Sequence, residues 1–168
     1  MRNQNGKLIN DYEELKQVIV GFYEKLFSAQ EENDSIDEKV NRLVRRRITN
    51  EEIQSLNLPV TEKEIEDTML RMKKGKAPSP DGFTSKFYRD SWQTVKCSVV
   101  EAVQTFFATT QMPKKFNSIT ISLIPKVSNR ENMKDFRPIS CCNTVYKCIT
   151  TILVNRLKQT LSGIIGLQ

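Results

Sequence analysis

The stretch NSITISLIPKVSNRENMKDFRPIS, residues 117–140, contains two short segments of strand character around a polar turn. Over residues 117–125, isoleucine and leucine alternate with serine and threonine, as in a strand with one buried face. The second segment, FRPIS at residues 136–140, contains a proline, which places this strand at a sheet edge. The stretch therefore predicts a β-hairpin that holds Lys126 and Arg137 close together near its open tip.

Around this hairpin, apolar residues recur at steps of three and four, which predicts amphipathic helices. The first runs from Asp11 to Ser28, and Asp11 with Glu14 has capping-box spacing. A second begins at TEKE, residues 61–64, FYRDSWQTVKCSVVEAVQTFF forms a third, and Asn143–Leu161 forms the last. The residues predicted to face inward are Leu15, Val18, Ile19, Phe22, Leu26, Phe27, Ile65, Met69, Met72, Phe87, Trp92, Val95, Val99, Val103, Phe106, Tyr146, Ile149, Leu153, Leu157 and Leu161.

Between the second and third helices, the octapeptide KAPSPDGF at residues 76–83 contains two prolines and a glycine. This density of helix breakers predicts a rigid loop, and it directly follows the basic run KKGK. Gly82 allows a tight turn there. Asp81 is expected to cap the following helix or turn and to take no part in chemistry.

The composition and the N-terminus indicate a soluble protein inside the cell. The chain has 168 residues, 38% hydrophobic and 27% charged, which is typical of a globular domain. No apolar run approaches the roughly 20 residues of a membrane helix. The first residues lack the apolar core of a signal peptide, so the expected location is cytoplasmic or nuclear, without secretion.

Histidine is absent, which excludes Ser-His and Cys-His catalytic pairs. The adjacent cysteines Cys141 and Cys142 do not have zinc-ligand spacing, so no zinc site is expected. All four cysteines, Cys97, Cys141, Cys142 and Cys148, are predicted to be buried free thiols. There is also no glycine-rich phosphate-loop motif.

Charge is divided unevenly along the chain. Residues 1–38 carry 4 Lys/Arg and 9 Asp/Glu, a net charge of −5, whereas residues 39–168 carry 22 and 11, a net charge of +11. A basic body of this kind indicates a polyanionic partner, of which nucleic acid is the common one. Charge alone is equally compatible with a merely soluble basic surface.

Four segments together resemble a known family. KAPSPDGF, FYRDSW, NSITISLIPK and DFRPISCCNTVYKCITTILVNRLK, in this order, resemble the N-terminal part of the reverse transcriptase of non-LTR retrotransposons. The likeness is closest to the long interspersed element (LINE) type found in plants. It covers roughly residues 50–168 and, more loosely, the helix before them.

The resemblance implies an RNA-directed DNA polymerase with a right-hand fold of fingers, palm and thumb. For this chain it implies an α+β, mainly helical structure of entry helices and the fingers hairpin, with palm and thumb absent. The expected organisation is an N-terminal amphipathic helix at 1–28, an acidic-to-basic linker at 29–48 and a partial reverse transcriptase domain at 49–168.

The resemblance also implies site residues and partners. In related enzymes, the hairpin lysine and arginine contact the triphosphate of the incoming nucleotide, and these match Lys126 and Arg137. The octapeptide lies near the template path, so Lys73, Lys74 and Lys76 are nucleic-acid-binding candidates. The partners of the complete enzyme are an RNA or RNA/DNA hybrid template-primer, a deoxynucleoside triphosphate and Mg²⁺, and no cofactor is expected on this chain.

Three places depart from the family pattern, one of them Lys96-Cys97-Ser98, where a Gly-x-Asp is frequent. Ser79 stands where the family usually has glycine, so a strained loop is expected if this position has a positive φ. Cys141 stands where the family commonly has leucine and would leave a smaller packing residue.

The acids that such a polymerase needs are missing from this sequence. Nucleotidyl transfer in the family uses palm aspartates that hold two metal ions, but no Asp or Glu follows Asp135 in the last 33 residues. The chain is therefore expected to be a truncated, non-catalytic reverse transcriptase with partly exposed apolar stripes. The alternatives are an RNA-binding module derived from the fingers and a helical interaction protein that uses the Leu15–Phe27 stripe.

Overall fold

A computed structural model describes residues 8–28, 48–73, 75 and 77–164, with side chains as far as residue 161. The chain forms two compact units. The first contains Met1–Asp37 and Ile121–Ile139, and the second contains Glu38–Thr120 and Ser140–Gln168.

The described residues form helices and one small sheet, in the order α1 (Tyr12–Phe27), α2 (Asn50–Leu56), α3 (Glu62–Arg71), α4 (Ser85–Asp90), α5 (Trp92–Thr109), β1 (Ile119–Pro125), a 3₁₀ turn (Met133–Asp135), β2 (Phe136–Cys142) and α6 (Thr144–Ile164). The two strands pair with each other as a hairpin. The mainly helical α+β class and the hairpin, both predicted from the sequence, are confirmed.

Helices α2 and α3 begin with similar sequences, but the glutamate three residues after the N-cap threonine has a different partner in each. Thr49 and Glu52 form a complete capping box, in which each side chain accepts a hydrogen bond from the backbone N–H of the other residue. Thr61 also accepts from the backbone N–H of Glu64, at 3.2 Å. However, the Glu64 carboxylate accepts hydrogen bonds from Arg156 on α6. The glutamate at the capping-box position of α3 thus joins two helices.

The core of the second unit lies between α3, α5 and α6. Helix α6 contacts α2, α3 and α5, and α3 also contacts α4 and α5. The buried cluster consists of Val60, Ile65, Met69, Tyr88, Trp92, Val99, Val103, Val145, Cys148, Ile149 and Ile152. Most of these positions follow the apolar periodicity of the sequence. Phe87, predicted to face inward, is exposed, and its neighbour Tyr88 is buried instead.

Helix α6 is rotated relative to the predicted orientation. Its buried residues are Val145, Cys148, Ile149, Ile152 and Thr160. Of the predicted stripe, Ile149 is buried, but Leu153, Leu157 and Leu161 are 38%, 43% and 40% exposed. The inward position one turn after Ile152 belongs to Arg156, which the sequence pattern places on the solvent side because it is charged.

Arg156 can lie inward because its guanidinium is extensively hydrogen bonded. Nε and Nη2 donate to the two carboxylate oxygens of Glu64, at 2.9 and 2.7 Å. Nη1 donates to the backbone oxygens of Leu56, at 3.1 Å, and Leu58, at 2.6 Å. Leu56 ends α2, so its carbonyl has no partner within that helix. The guanidinium carbon also lies 5.7 Å from the centre of the Phe107 ring.

The electrostatics of this contact favour the charged form of Arg156. The hydrogen bonds to Glu64 raise the pKa of Arg156, and the nearby Glu64 charge adds to this, whereas burial acts in the opposite direction. The side chains of the pair are only 14% and 30% exposed. Because the pair is bidentate and partly shielded from water, it is stronger than an ordinary surface salt bridge.

The first unit contains α1. The Asp11 carboxylate accepts from the backbone N–H of Glu14, at 2.9 Å, and begins the helix as predicted. Tyr23 is buried. Leu26 and Phe27, predicted to face inward, are exposed. The remaining residues of the predicted stripe are half-buried, namely Leu15, Val18, Ile19 and Phe22.

The four cysteines are free thiols with different exposure. Cys148 is buried, Cys141 and Cys142 are half-buried, and Cys97 is exposed, so the prediction of four buried thiols holds fully only for Cys148. Burial, and secondarily the charge of Glu64, raises the pKa of Cys148 from its ordinary value of 9.0 to about 12. Its Sγ lies 3.9 Å from the backbone oxygen of Ile65.

None of the helices in the described part of the chain has the length and apolar character needed to cross a membrane.

We expect Arg156→Met to destabilise the chain by about 2–4 kcal/mol, because the Glu64 carboxylate and the α2 carbonyls lose their donors in a partly dry environment. Urea unfolding of the full chain measures this change. Lys86→Met is the matched control, since Lys86 pairs with Asp90 on the exposed surface of α4, and it should cost no more than about 0.5 kcal/mol. If the two variants lose the same unfolding free energy, Arg156 contributes no more to stability than an exposed lysine does.

We expect Cys148 to make stability fall at alkaline pH. Above pH 9.0 the thiol ionises in the unfolded chain, whereas the folded chain keeps its proton up to about pH 12. The unfolded state therefore gains stability as the pH rises between these values, by about 1.4 kcal/mol per pH unit. Unfolding free energies at several pH values measure the slope. If Cys148→Ala keeps the wild-type slope in this range, another group causes it.

Candidate functional site

The register of the hairpin places Lys126 and Arg137 on the same face. The backbone N–H of Lys126 donates to the backbone oxygen of Asp135, at 2.7 Å. In an antiparallel ladder this bond pairs Lys126 with Asp135, and therefore Ile124 with Arg137. Lys126 and Arg137 are then diagonal neighbours, whose Cβ atoms are typically about 7–8 Å apart. This register allows the predicted proximity of the two cations, which stays a prediction.

Both prolines of the strands fit the same register. Pro125 and Pro138 occupy positions where the backbone nitrogen points away from the partner strand. Neither proline therefore removes a hydrogen bond between the two strands. On the outer edge of its strand, each proline leaves one position without an N–H donor. Each strand of a two-stranded sheet is an edge strand, so β2 lies at a sheet edge, as Pro138 predicts.

The turn between the strands is held by Asp135. Its Oδ2 accepts from the backbone N–H groups of Glu131, at 3.1 Å, and Asn132, at 2.9 Å. Met133, in the middle of the turn, is buried. The turn is therefore ordered by its own carboxylate and one apolar anchor.

The two cations differ in their present contacts. The Lys126 ammonium donates to the backbone oxygen of Lys134, at 2.7 Å, and retains two further donors. Arg137 is exposed on β2. A point charge and a planar fork on one exposed face can together bind a group with several anionic oxygens.

The other candidate cations follow α3, in the second unit. Lys73 is exposed, and its backbone oxygen accepts from Ser85 Oγ, at 2.9 Å. The preceding carbonyl, of Met72, accepts from Arg89 Nη1, at 3.0 Å. These bonds hold the chain after α3 against α4. Lys74 and Lys76 lie outside the described residues.

The loop that follows closes through a tight turn. The backbone N–H of Gly82 donates to the Ser79 oxygen at 2.8 Å, and the Ser79 N–H donates to the Phe83 oxygen at 3.0 Å. Pro80 occupies the second position of this turn and Gly82, with φ +82°, the fourth. Asp81 Oδ1 accepts from the Phe83 N–H, at 3.0 Å, so Asp81 holds the turn as predicted.

Two side-chain hydrogen bonds attach this loop to the start of α6. Asn143 Nδ2 donates to Asp81 Oδ2, at 2.6 Å, and the hydroxyl groups of Ser79 and Thr144 are 3.0 Å apart. Asn143 and Thr144 are 2% and 1% exposed. Asn143 Oδ1 also accepts from the N–H of Val145. Asparagine before a helical segment signals an N-cap, but no sequence signal pairs it with a loop 62 residues earlier.

The expected strain at Ser79 is absent. Among the described residues other than glycine, only Thr110 has a positive φ, of 58°. Ser79 adopts an ordinary backbone conformation, and its buried hydroxyl contacts Thr144. The serine is therefore compatible with the loop, because the positive φ on which the expected strain depended is not present at this position.

A metal site is not formed by the part of the chain that the structure describes, in which no three Cys, Asp or Glu side chains lie close enough to hold an ion.

Comparison with known proteins gives one informative relative. No protein-family model matches the chain. Over 163 residues, 96% of its length, the chain is 26% identical to a protein of Xenopus laevis described as the transposon TX1 uncharacterized 149 kDa protein. The chain spans 12% of the length of this relative. It is thus similar, over nearly its whole length, to one part of a transposon protein.

We expect Ser79→Gly to destabilise the chain by about 1–2 kcal/mol. Glycine loses the hydroxyl bond to Thr144 and gains freedom in the unfolded state, whereas relief of a strained serine would stabilise the chain. Chemical unfolding of the two proteins measures the sign. Ser79→Ala separates the hydroxyl contribution from the backbone contribution. A more stable glycine variant would restore the strain hypothesis.

Proposed function

We propose that this chain is the fingers part of a reverse transcriptase from a non-LTR retrotransposon of the LINE type, and that it binds the substrates without holding the catalytic residues. The observation that carries the proposal is the exposed face shared by Lys126 and Arg137 at the tip of an ordered hairpin. The similarity to a transposon protein over 96% of the chain supports it.

The chemistry of this face suits a nucleoside triphosphate. Lysine supplies a compact charge with rotatable donors, and arginine supplies a planar pair of N–H groups that can bind two phosphate oxygens at once. Both charges would offset the negative charge that moves to the leaving pyrophosphate during nucleotidyl transfer. The bonds from the Asp135 carboxylate to the turn backbone preorganise this end of the hairpin.

The basic run after α3 suits the phosphates of a template strand. Lys73 is exposed, and Lys74 and Lys76 follow it directly in the sequence. The net charge of +11 over residues 39–168 favours a polyanion in general. We therefore assign the template or template-primer to this run and the triphosphate to the hairpin.

Catalysis belongs to residues that this sequence does not contain. Nucleotidyl transfer needs two metal ions held by carboxylates, and the 33 residues after Asp135 contain none. Mg²⁺ would be held by palm aspartates of the complete enzyme, so no metal-dependent step is assigned to this chain.

We expect two separable binding activities. Lys73→Ala/Lys74→Ala/Lys76→Ala should flatten the slope of log K against log salt for single-stranded RNA by about two, since each phosphate contact contributes roughly 0.7. Lys126→Ala and Arg137→Ala should each scarcely change RNA affinity but weaken triphosphate binding about tenfold or more, through loss of a charge-assisted hydrogen bond. Salt titrations with RNA and calorimetry with a deoxynucleoside triphosphate measure the two effects.

The control is Lys16→Ala/Lys25→Ala/Lys63→Ala, which removes three exposed lysines elsewhere. It should reduce the salt slope much less than the variant of the basic run. A flat wild-type slope would exclude nucleic-acid binding by this chain. RNA binding without any triphosphate binding would favour the alternative of an RNA-binding module, and equal losses from all variants would remove the distinction between the two sites.

A further inference from the structure

Two exposed phenylalanine rings stack on each other in the segment that joins the octapeptide to α4. Phe83 and Phe87 are 44% and 37% exposed. Their ring centres are 4.4 Å apart and the ring planes are inclined by 28°, so the rings are stacked. Exposed large aromatic side chains at a nucleic-acid-binding surface are the groups on which unpaired bases stack.

The surrounding structure holds both rings in place. The backbone of Phe83 is fixed on both sides, because its N–H donates to Asp81 and its carbonyl accepts from Ser79. The N–H of Phe87 donates to Thr84 Oγ1, at 3.3 Å, within the first turn of α4. Tyr88, which is buried, contacts both rings edge-on, at 5.5 and 6.4 Å. A base that stacked here would meet a preorganised surface.

The stretch of sequence that contains both rings is basic. Residues 71–90 contain six Lys or Arg residues and two Asp residues, a net charge of +4. Met72 and Lys73 are held against α4 by the bonds from Arg89 and Ser85, so the basic run begins beside the helix that carries Phe87. A strand whose base stacks on the rings would thus have cations near its phosphates.

A second stacked aromatic pair lies in an acidic part of the sequence. Tyr23 and Phe27 on α1 are stacked at 5.8 Å and 26°, and Phe27 is exposed. However, residues 1–38 have a net charge of −5, which repels a polyanion. The chain therefore offers an internal comparison between two stacked aromatic pairs that lie in sequence segments of opposite net charge.

We propose that the stacked rings of Phe83 and Phe87 form a platform for an unpaired base of single-stranded RNA, close to the exposed Lys73 that follows α3. The proposal rests on the nucleic-acid binding proposed above and names the chemistry by which this site would hold the template. Stacking is tolerant of base identity because every base has a π-face. The platform thus adds affinity for any exposed base and little sequence preference.

The experiment compares a short single-stranded RNA with an abasic oligomer that has the same number of phosphates. The wild-type chain should bind the RNA at least about fivefold more tightly, since stacking of one base contributes about 1 kcal/mol or more. Phe83→Leu/Phe87→Leu keeps apolar side chains against Tyr88 but removes the π-surface. It should lose this preference with an unchanged salt slope, because no phosphate contact is removed.

Phe27→Leu is the matched control, and it should keep the wild-type preference for the RNA. Phe87→Trp is a second variant, which retains a larger π-surface and should also keep it. Quenching of 2-aminopurine in the bound RNA should accompany binding to the wild-type chain and to Phe87→Trp.

The possible failures point to different conclusions. If the wild-type chain binds neither oligomer, nucleic-acid binding itself is excluded, and the platform with it. If it binds both equally, or if the leucine double variant keeps the preference, the platform is excluded while nucleic-acid binding remains. Should the leucine variant fail to fold, absence of 2-aminopurine quenching by the wild-type chain would exclude the platform.

Discussion

The guanidinium of Arg156 joins segments of the second unit that are 92 to 100 residues away in the sequence. It binds both carboxylate oxygens of Glu64 on α3, two carbonyls at the end of α2, and lies over the Phe107 ring of α5. A charge placed inward without these partners would be costly to desolvate. The rotation of α6 is therefore set by the position of these acceptors as much as by its apolar side chains.

The opposite end of α6 is fixed by neutral and charged hydrogen bonds to the octapeptide. Asn143 binds Asp81, and Thr144 contacts Ser79. Ser79, Asn143 and Thr144 are buried, so loss of a partner would leave a polar atom of these residues without water or protein to satisfy it. The density of prolines and glycine in the octapeptide is explained by this attachment: the loop must present Ser79 and Asp81 to α6 in one fixed shape.

Both regions that carry the proposed binding residues use an aspartate for the same purpose. Asp135 accepts two backbone N–H groups in the hairpin turn, and Asp81 accepts one in the octapeptide. Each carboxylate orders its loop by accepting hydrogen bonds from backbone N–H groups. The proposed sites for triphosphate and template thus combine an ordered backbone with exposed positive charge, which is the combination that anion binding requires. The exposed rings of Phe83 and Phe87 depend on the same turn.

The sequence by itself determined the class of fold, the hairpin with its two cations and most helix positions, because these depend on local periodicity, capping and turn residues. It also located the octapeptide loop and the structural role of Asp81. Tertiary structure alone decided that Arg156 lies inward while Leu153, Leu157 and Leu161 lie outward, that the Glu64 carboxylate binds Arg156 on α6, and that Ser79 is unstrained. The physical reason is that a charged or polar side chain can be buried only where distant acceptors meet it, and no local pattern records which distant residues those will be.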